Sequence, residues 1–99
     1  MLTFVPNLKL KYRDMSNNRK VIDVRSEMEF MGGNVAGSIN IPLQEVPNRL
    51  EEFRAMDNPI LCCASGNRSG QAVQFLKANG IECENGGGWM EVNYQMAQQ

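Results

Sequence analysis

The run Ile60-Leu61-Cys62-Cys63-Ala64-Ser65-Gly66-Asn67-Arg68-Ser69-Gly70 constrains this chain more than any other segment. An apolar stretch ends in a cysteine. A short Gly/Ser/Asn loop follows, and Arg68 opens a helical pattern. A strand that feeds a helix through so short a loop is the step from which α/β sheets are built. The same order makes an anion cradle around a thiol. The strand delivers Cys63 to the sheet edge, and the loop N–H groups turn inward. The helix N-terminus adds partial positive charge, and Arg68 adds a full one. Such a setting favours the thiolate, which is the reactive form of cysteine.

Burial without reactivity is the ordinary role of a free cysteine. Cys62 fits that role, because successive strand side chains point to opposite faces and only one of the pair can face the loop. Cys83 fits it too, inside the short apolar segment Ile81-Glu82-Cys83. Cys63 alone is followed directly by loop, arginine and helix start.

The rest of the chain alternates in the same way. Val21-Ile22-Asp23-Val24 has the pattern of a buried strand. Ser26-Glu27-Met28-Glu29 is a capping box that starts a short helix to about Met31, and Gly32-Gly33-Asn34 ends it. Ser38 to Ile41 forms a short strand stopped by Pro42. Val46, Leu50 and Phe53 recur at helical spacing, with Pro47 suited to a first turn. Pro59 to Cys63 is the central strand. Ala72, Val73, Phe75, Leu76 and Ala78 predict a helix from Ser69, with Gly80 just past its end. Ile81-Glu82-Cys83 follows as a strand, Gly86-Gly87-Gly88 as a turn, and Trp89, Val92 and Met96 as a last helix. The expectation is one α/β domain over residues 1–99, its mainly parallel sheet flanked by helices on both faces. Ligands of such sheets sit at the carboxyl ends of strands, where Cys63 falls.

Composition narrows the chemistry. The net charge is −1, so no global field points to nucleic acid. Six Lys/Arg and two Asp fall within residues 1–25, against four Lys/Arg and nine Asp/Glu beyond; the basic part reads as a solvated face. No apolar run is long enough to span a membrane. The charges Lys9, Lys11 and Arg13 follow the apolar start instead of preceding it, unlike a signal peptide. Three irregularly spaced cysteines argue for a reducing, cytoplasmic setting and against a disulfide framework. There is no histidine. That excludes a Ser-His-Asp triad and a Cys-His pair, and no Cys-x-x-Cys is present to hold a metal. Whatever activates Cys63 must be backbone dipoles and Arg68.

Four segments in register resemble the rhodanese-like domain family. Val21-Ile22-Asp23-Val24-Arg25 resembles its opening Asp-Val-Arg strand. Gly33 to Pro42 is similar to its Gly-His-Ile-Pro-Gly-Ala-Ile-Asn-Ile-Pro signature, with Asn34 in place of histidine and Ala36 in place of proline. Cys63 to Ser69 resembles the loop Cys-x-x-Gly-x-Arg-Ser, and Gly86-Gly87 with Trp89 the closing Gly-Gly…Trp segment. The resemblance implies sulfurtransfer without a cofactor. Cys63 would take a sulfane sulfur from a small donor such as thiosulfate and pass it to cyanide, a thiol or a protein acceptor.

In that scheme Cys63 and Arg68 are the catalytic pair. Ala64, Ser65, Gly66, Asn67 and Ser69 form the anion-binding loop. Gly66 permits positive φ, Arg68 offers a guanidinium fork, and Ser69 either donates to the anion or caps the helix. Asp23 and Arg25 read as a structural pair, and Trp89 as a core or lid aromatic. Two alternatives share the cradle. A thiolate phosphatase or arsenate reductase places the arginine one residue farther from the cysteine. A sensing or sulfur-carrier module would use Cys63 without turnover.

Overall fold

A computed structural model describes residues 19–98. The leader argument over Met1 to Arg13 and most of the basic N-terminal part lie outside the described residues. Four strands form one parallel sheet: β1 (Val21–Asp23), β2 (Ile39–Asn40), β3 (Ile60–Cys63) and β4 (Glu84–Gly88), in the order β2-β1-β3-β4. The helices are α1 (Glu27–Met31), α2 (Leu50–Arg54), α3 (Asn67–Ala78) and α4 (Trp89–Ala97), with a 3-10 helix at Leu43–Arg49 leading into α2.

Period-two alternation divides the core. Ile22, Leu61 and Cys63 face one side of the sheet, where Phe53, Ala72 and Leu76 pack on them. Val21, Ile60 and Cys62 face the other, against Val35 and Val92. The two neighbouring cysteines therefore point to opposite faces, as a continuous strand requires. All three cysteines are free and buried. The capping box of α1 is complete: the Glu29 N–H donates to Ser26 Oγ at 3.2 Å, and the Ser26 N–H to Glu29 Oε1 at 2.9 Å.

Three expectations need correction. Ile81 to Cys83 is not a strand. The Gly80 and Ile81 N–H groups turn back to the Lys77 and Leu76 carbonyls, both at 3.0 Å, closing α3 with a Schellman motif. Nor is Gly86-Gly87-Gly88 a turn; it belongs to β4, where Leu61 pairs with Asn85 and Cys62 with Gly87, leaving Gly86 as a bulge residue. A Cβ on Gly86 would lie 2.7 Å from Ile60 Cγ2 and 2.9 Å from Val92 Cγ2, so glycine lets this strand press between β3 and α4. Finally, Pro47 sits inside the 3-10 helix and not in a first α-turn. It has no N–H for an α-helical bond to Leu43, and α geometry begins only at Leu50.

Candidate active site

Cys63 ends β3, and α3 starts four residues later with Gly66 as its N-cap. Gly66 has φ +102°, and a Cβ there would stand 3.2 Å from Gly87 Cα. Glycine thus permits both the left-handed turn and the close approach of β4. The turn folds the loop back over the sulfur. The Gly66 N–H donates to Cys63 Sγ at 2.9 Å and the Ser69 N–H at 3.4 Å, with Ser69 Oγ also 3.4 Å away.

Burial pushes the Cys63 thiol up, but the Ser69 hydroxyl and the N–H groups of Ser69, Ser65 and Gly66 outweigh it. The thiol is brought down to about 7. Its neighbour goes the other way: burial, reinforced by the Asp23 charge, pushes Cys62 up to about 12. Burial also raises Cys83. Of the three thiols, only the one at the loop is lowered from the ordinary cysteine value.

Ser69 is the third residue of α3, buried and not its cap; Gly66 holds the cap position. The hydroxyl reaches both Cys63 Sγ and Asn85 Oδ1, the latter at 2.7 Å. Ala64, Ser65 and Asn67 are exposed along the loop rim. The Ala64 carbonyl lies 3.0 Å from where a Gly88 Cβ would be, so loop and β4 are in backbone contact.

Arg68 stands in the first turn of α3 and reaches across to α1. Its guanidinium forks onto Glu29 of α1, Nη1 to Oε1 at 2.8 Å and Nη2 to Oε2 at 3.0 Å, with both side chains partly exposed. The Arg68 hydrogen bonds, then the Ser26 N–H, hold the Glu29 carboxyl down at about 2. Hydrogen bonds from Ser69 and the loop N–H groups do most to lower Cys63; the Arg68 charge also interacts with the sulfur, while its guanidinium braces the rim.

Beneath the cradle, Arg25 and Asp23 form a buried pair with Nη2–Oδ2 at 2.7 Å. Arg25 also donates to the Gly33 carbonyl at 2.6 Å and lies 4.8 Å from the Trp89 ring centroid. The pairing expected for Asp23 and Arg25 is present; Trp89, expected as a core or lid aromatic, is half-buried and packs against the core cluster of Val21, Val35, Ile60, Cys62 and Val92. Asn34 is exposed; its Nδ2 donates to the Phe30 carbonyl at 2.8 Å and ties its loop to the end of α1.

Sequence reasoning missed two residues of the site. Glu29 was legible only as a capping-box member, because its contact with Arg68 crosses 39 positions. Asn85 beside three glycines carries the composition of a turn, yet it bonds Ser69, Gly66 and Gly87. Among the described residues, no group of three or more His, Cys, Asp or Glu is arranged to hold a metal. None of the described helices is long and apolar enough to cross a membrane.

Comparison with known proteins matches this architecture. The family model described as "Rhodanese-like domain" covers residues 9–94. The chain is 41% identical over 71 residues to the uncharacterized protein YqhL of Bacillus subtilis, covering 71% of this chain and 56% of that protein. It is 36% identical over 74 residues to the thiosulfate sulfurtransferase PspE of Escherichia coli, covering 72% and 71%. The chain spans about half or less of the first curated relatives: 56% of YqhL, 35% of a Synechocystis protein and 37% of the putative sulfur carrier YrkF of Bacillus subtilis. Among solved structures, a rhodanese with anions from Escherichia coli superposes with a TM-score of 0.68 at 36% identity, over 74% of this chain and 89% of that one.

Proposed function

Since the chain belongs to the rhodanese-like domain family, we propose that it transfers sulfane sulfur through a persulfide on Cys63. The observation that carries this reading is the Gly66 N–H at 2.9 Å from Cys63 Sγ, part of a set of loop donors that brings the thiol down to about 7 without a histidine. Fixed N–H groups need no reorganisation as negative charge develops on sulfur.

The reaction runs as two displacements. The Cys63 thiolate attacks the outer sulfur of a donor such as thiosulfate; an S–S bond forms on Cys63, the donor's S–S bond breaks, and sulfite leaves with the electron pair. A thiolate or cyanide then attacks the terminal sulfur. Thiocyanate or a new persulfide departs, and the Cys63 thiolate is restored. Covalent catalysis of this kind gives ping-pong kinetics. Cys63 is the nucleophile. Ser65, Gly66 and Ser69 stabilise the sulfur anion, Ala64 and Asn67 complete the loop rim, and the Arg68 charge at the mouth draws an anionic donor. The acceptor is a small thiol or a protein thiol, and a reducing, cytoplasmic setting suits the free nucleophile.

The names of PspE and YrkF support sulfur handling in the wider family. The loop length favours sulfur over phosphate: Arg68 stands five positions after Cys63, which makes a smaller ring than a cradle with one residue more. The test is thiosulfate loading of wild type and Cys63→Ser, read by intact mass and by thiocyanate release, beside aryl-phosphate hydrolysis. A gain of roughly 32 Da confined to Cys63, with turnover lost in Cys63→Ser, is the expected result. A protein that loads sulfur but does not release it to any thiol or cyanide would be a carrier, and efficient phosphate-ester hydrolysis would overturn the reading.

A further inference from the structure

The Ser69 hydroxyl stands between two acceptors and has one proton. Asn85 Oδ1 lies 2.7 Å from it and Cys63 Sγ 3.4 Å. The orientation of the Asn85 amide follows from its other bonds. The Gly87 N–H donates to Oδ1 at 3.0 Å, and Nδ2 donates to the Gly66 carbonyl at 3.1 Å. Both place oxygen, not nitrogen, toward Ser69, so Asn85 can only accept there. Asn85 also bridges β4 to the N-cap of α3, which keeps this geometry rigid.

We propose that the Ser69 hydroxyl is a two-position hydrogen-bond switch, and that Asn85 is the positioning residue that holds it. While Cys63 is a neutral thiol, the Ser69 proton bonds Asn85 Oδ1. When sulfur carries negative charge, as thiolate or as persulfide anion, the hydroxyl rotates and donates to sulfur, since hydrogen bonds to ionised acceptors are roughly twice as strong as neutral ones. Asn85 Oδ1 is not orphaned by this, because the Gly87 N–H still satisfies it. The proton never leaves Ser69 Oγ, and the thiol proton goes to solvent. The rotation supplies a donor to the nucleophile only once charge has formed, and withdraws it when the charge is gone. The inference rests on Cys63 being the reactive thiol, but its test reads thiol ionisation and needs no sulfur transfer.

Other charged or titratable groups lie around the cradle or behind it. Arg68 of α3 is paired with Glu29 of α1; Cys62 of β3 lies near the Asp23–Arg25 pair; and Glu91 of α4 has Oε1 3.8 Å from the Cβ position of Gly87. All are unchanged across the following cycle, so their contributions cancel.

The experiment measures the Cys63 ionisation midpoint from iodoacetamide rates against pH. The proteins are wild type, Ser69→Ala, Asn85→Ala and the double variant, with circular dichroism confirming the fold. Removing Asn85 weakens the brace on Gly66 in either background. Only where Ser69 is present does it also remove the acceptor that competes for the proton. The switch therefore predicts that Asn85→Ala favours the thiolate more with Ser69 than without it, by roughly fivefold, the size of one neutral hydrogen bond. Asn85→Asp retains the acceptor with added charge and should reverse the sign of this coupling; it serves alone if Asn85→Ala does not fold. Equal shifts in both backgrounds would make Asn85 a brace only, and a coupling of the opposite sign would mean that Asn85 aims the hydroxyl at sulfur. Either result overturns the switch. Loss of thiosulfate turnover with the coupling intact would count against the proposed function and leave the switch standing.

Discussion

Arg68 and Glu29, 39 positions apart, meet in a forked ion pair at 2.8 and 3.0 Å that ties the first turn of α3 to α1. An arginine committed to a carboxylate on the rim is a weak tuner of a thiol that its own loop already surrounds with N–H groups. Arg68→Ala should therefore change the Cys63 thiolate fraction at pH 6 by less than about fivefold, because an exposed, paired charge is worth only ~0–1 kcal/mol. Ser69→Ala should change it more. Iodoacetamide rates against pH measure both; a shift of about tenfold or more in Arg68→Ala alone would return the tuning role to the arginine.

The same pair makes a pH prediction. Glu29 is held at about 2 against an ordinary value of 4.5. A depressed carboxylate contributes stability that is fully present above its unfolded value and is lost as pH falls through its folded one. Urea unfolding of wild type should weaken between pH values of about 4.5 and 2, and Glu29→Gln should lack this part of the acid sensitivity. Identical acid profiles for the two proteins would show that the ion pair does not persist in solution.

Thiol selectivity is the third expectation. Cys63, at about 7, should alkylate with a midpoint near that pH in the native protein, while Cys62, at about 12, and the buried Cys83 stay unmodified until unfolding. Peptide mass mapping after brief labelling at neutral pH reads this directly. The stability linkage has opposite signs for the neighbours. Cys63 is depressed from 9.0, so its contribution is full above that value and lost as pH falls toward 7. Cys62 is raised from 9.0, so its contribution holds below that value and is lost as pH rises toward 12.

Beneath the site, Arg25→Ala should be far more damaging than its chemistry suggests. It removes the partner of a fully buried Asp23, a donor to Gly33 and the cation over Trp89. Breaking a buried pair from one side costs ~3–5 kcal/mol. Denaturant midpoints compared with Arg68→Ala, on the rim, should differ by most of that amount.

Gly86→Ala tests the bulge. The new Cβ would meet Ile60 Cγ2 at 2.7 Å and Val92 Cγ2 at 2.9 Å. Overpacking of that kind costs ~1–3 kcal/mol. Thermal unfolding should show the loss. Gly32→Ala, whose nearest neighbour would be a carbonyl oxygen at 3.5 Å, should lose much less.

Much of the fold was legible locally. The capping box at Ser26, the apolar runs at Val21 and Ile60, the glycine after α3 and the opposite facing of Cys62 and Cys63 follow from short-range sterics, hydrogen bonding and strand periodicity. The strand at Glu84–Gly88 was not legible, because glycine-rich composition signals a turn unless one knows what lies against it. Ile60, on a strand distant in sequence, and Val92, one turn into the helix that follows, lie against it here.

For the site, the order of strand, cysteine, glycine loop and helix determined by itself that Cys63 would meet backbone donors. That relation is contained within seven residues, Cys63 to Ser69, and needs no distant partner. Tertiary structure alone decided where Arg68 goes and what Ser69 touches. Glu29 and Asn85 reach them across 39 and 16 positions through the parallel sheet and its crossovers. Hydrogen bonds are directional and short-ranged, so which partner a side chain takes is settled only when packing brings candidates within about 3 Å.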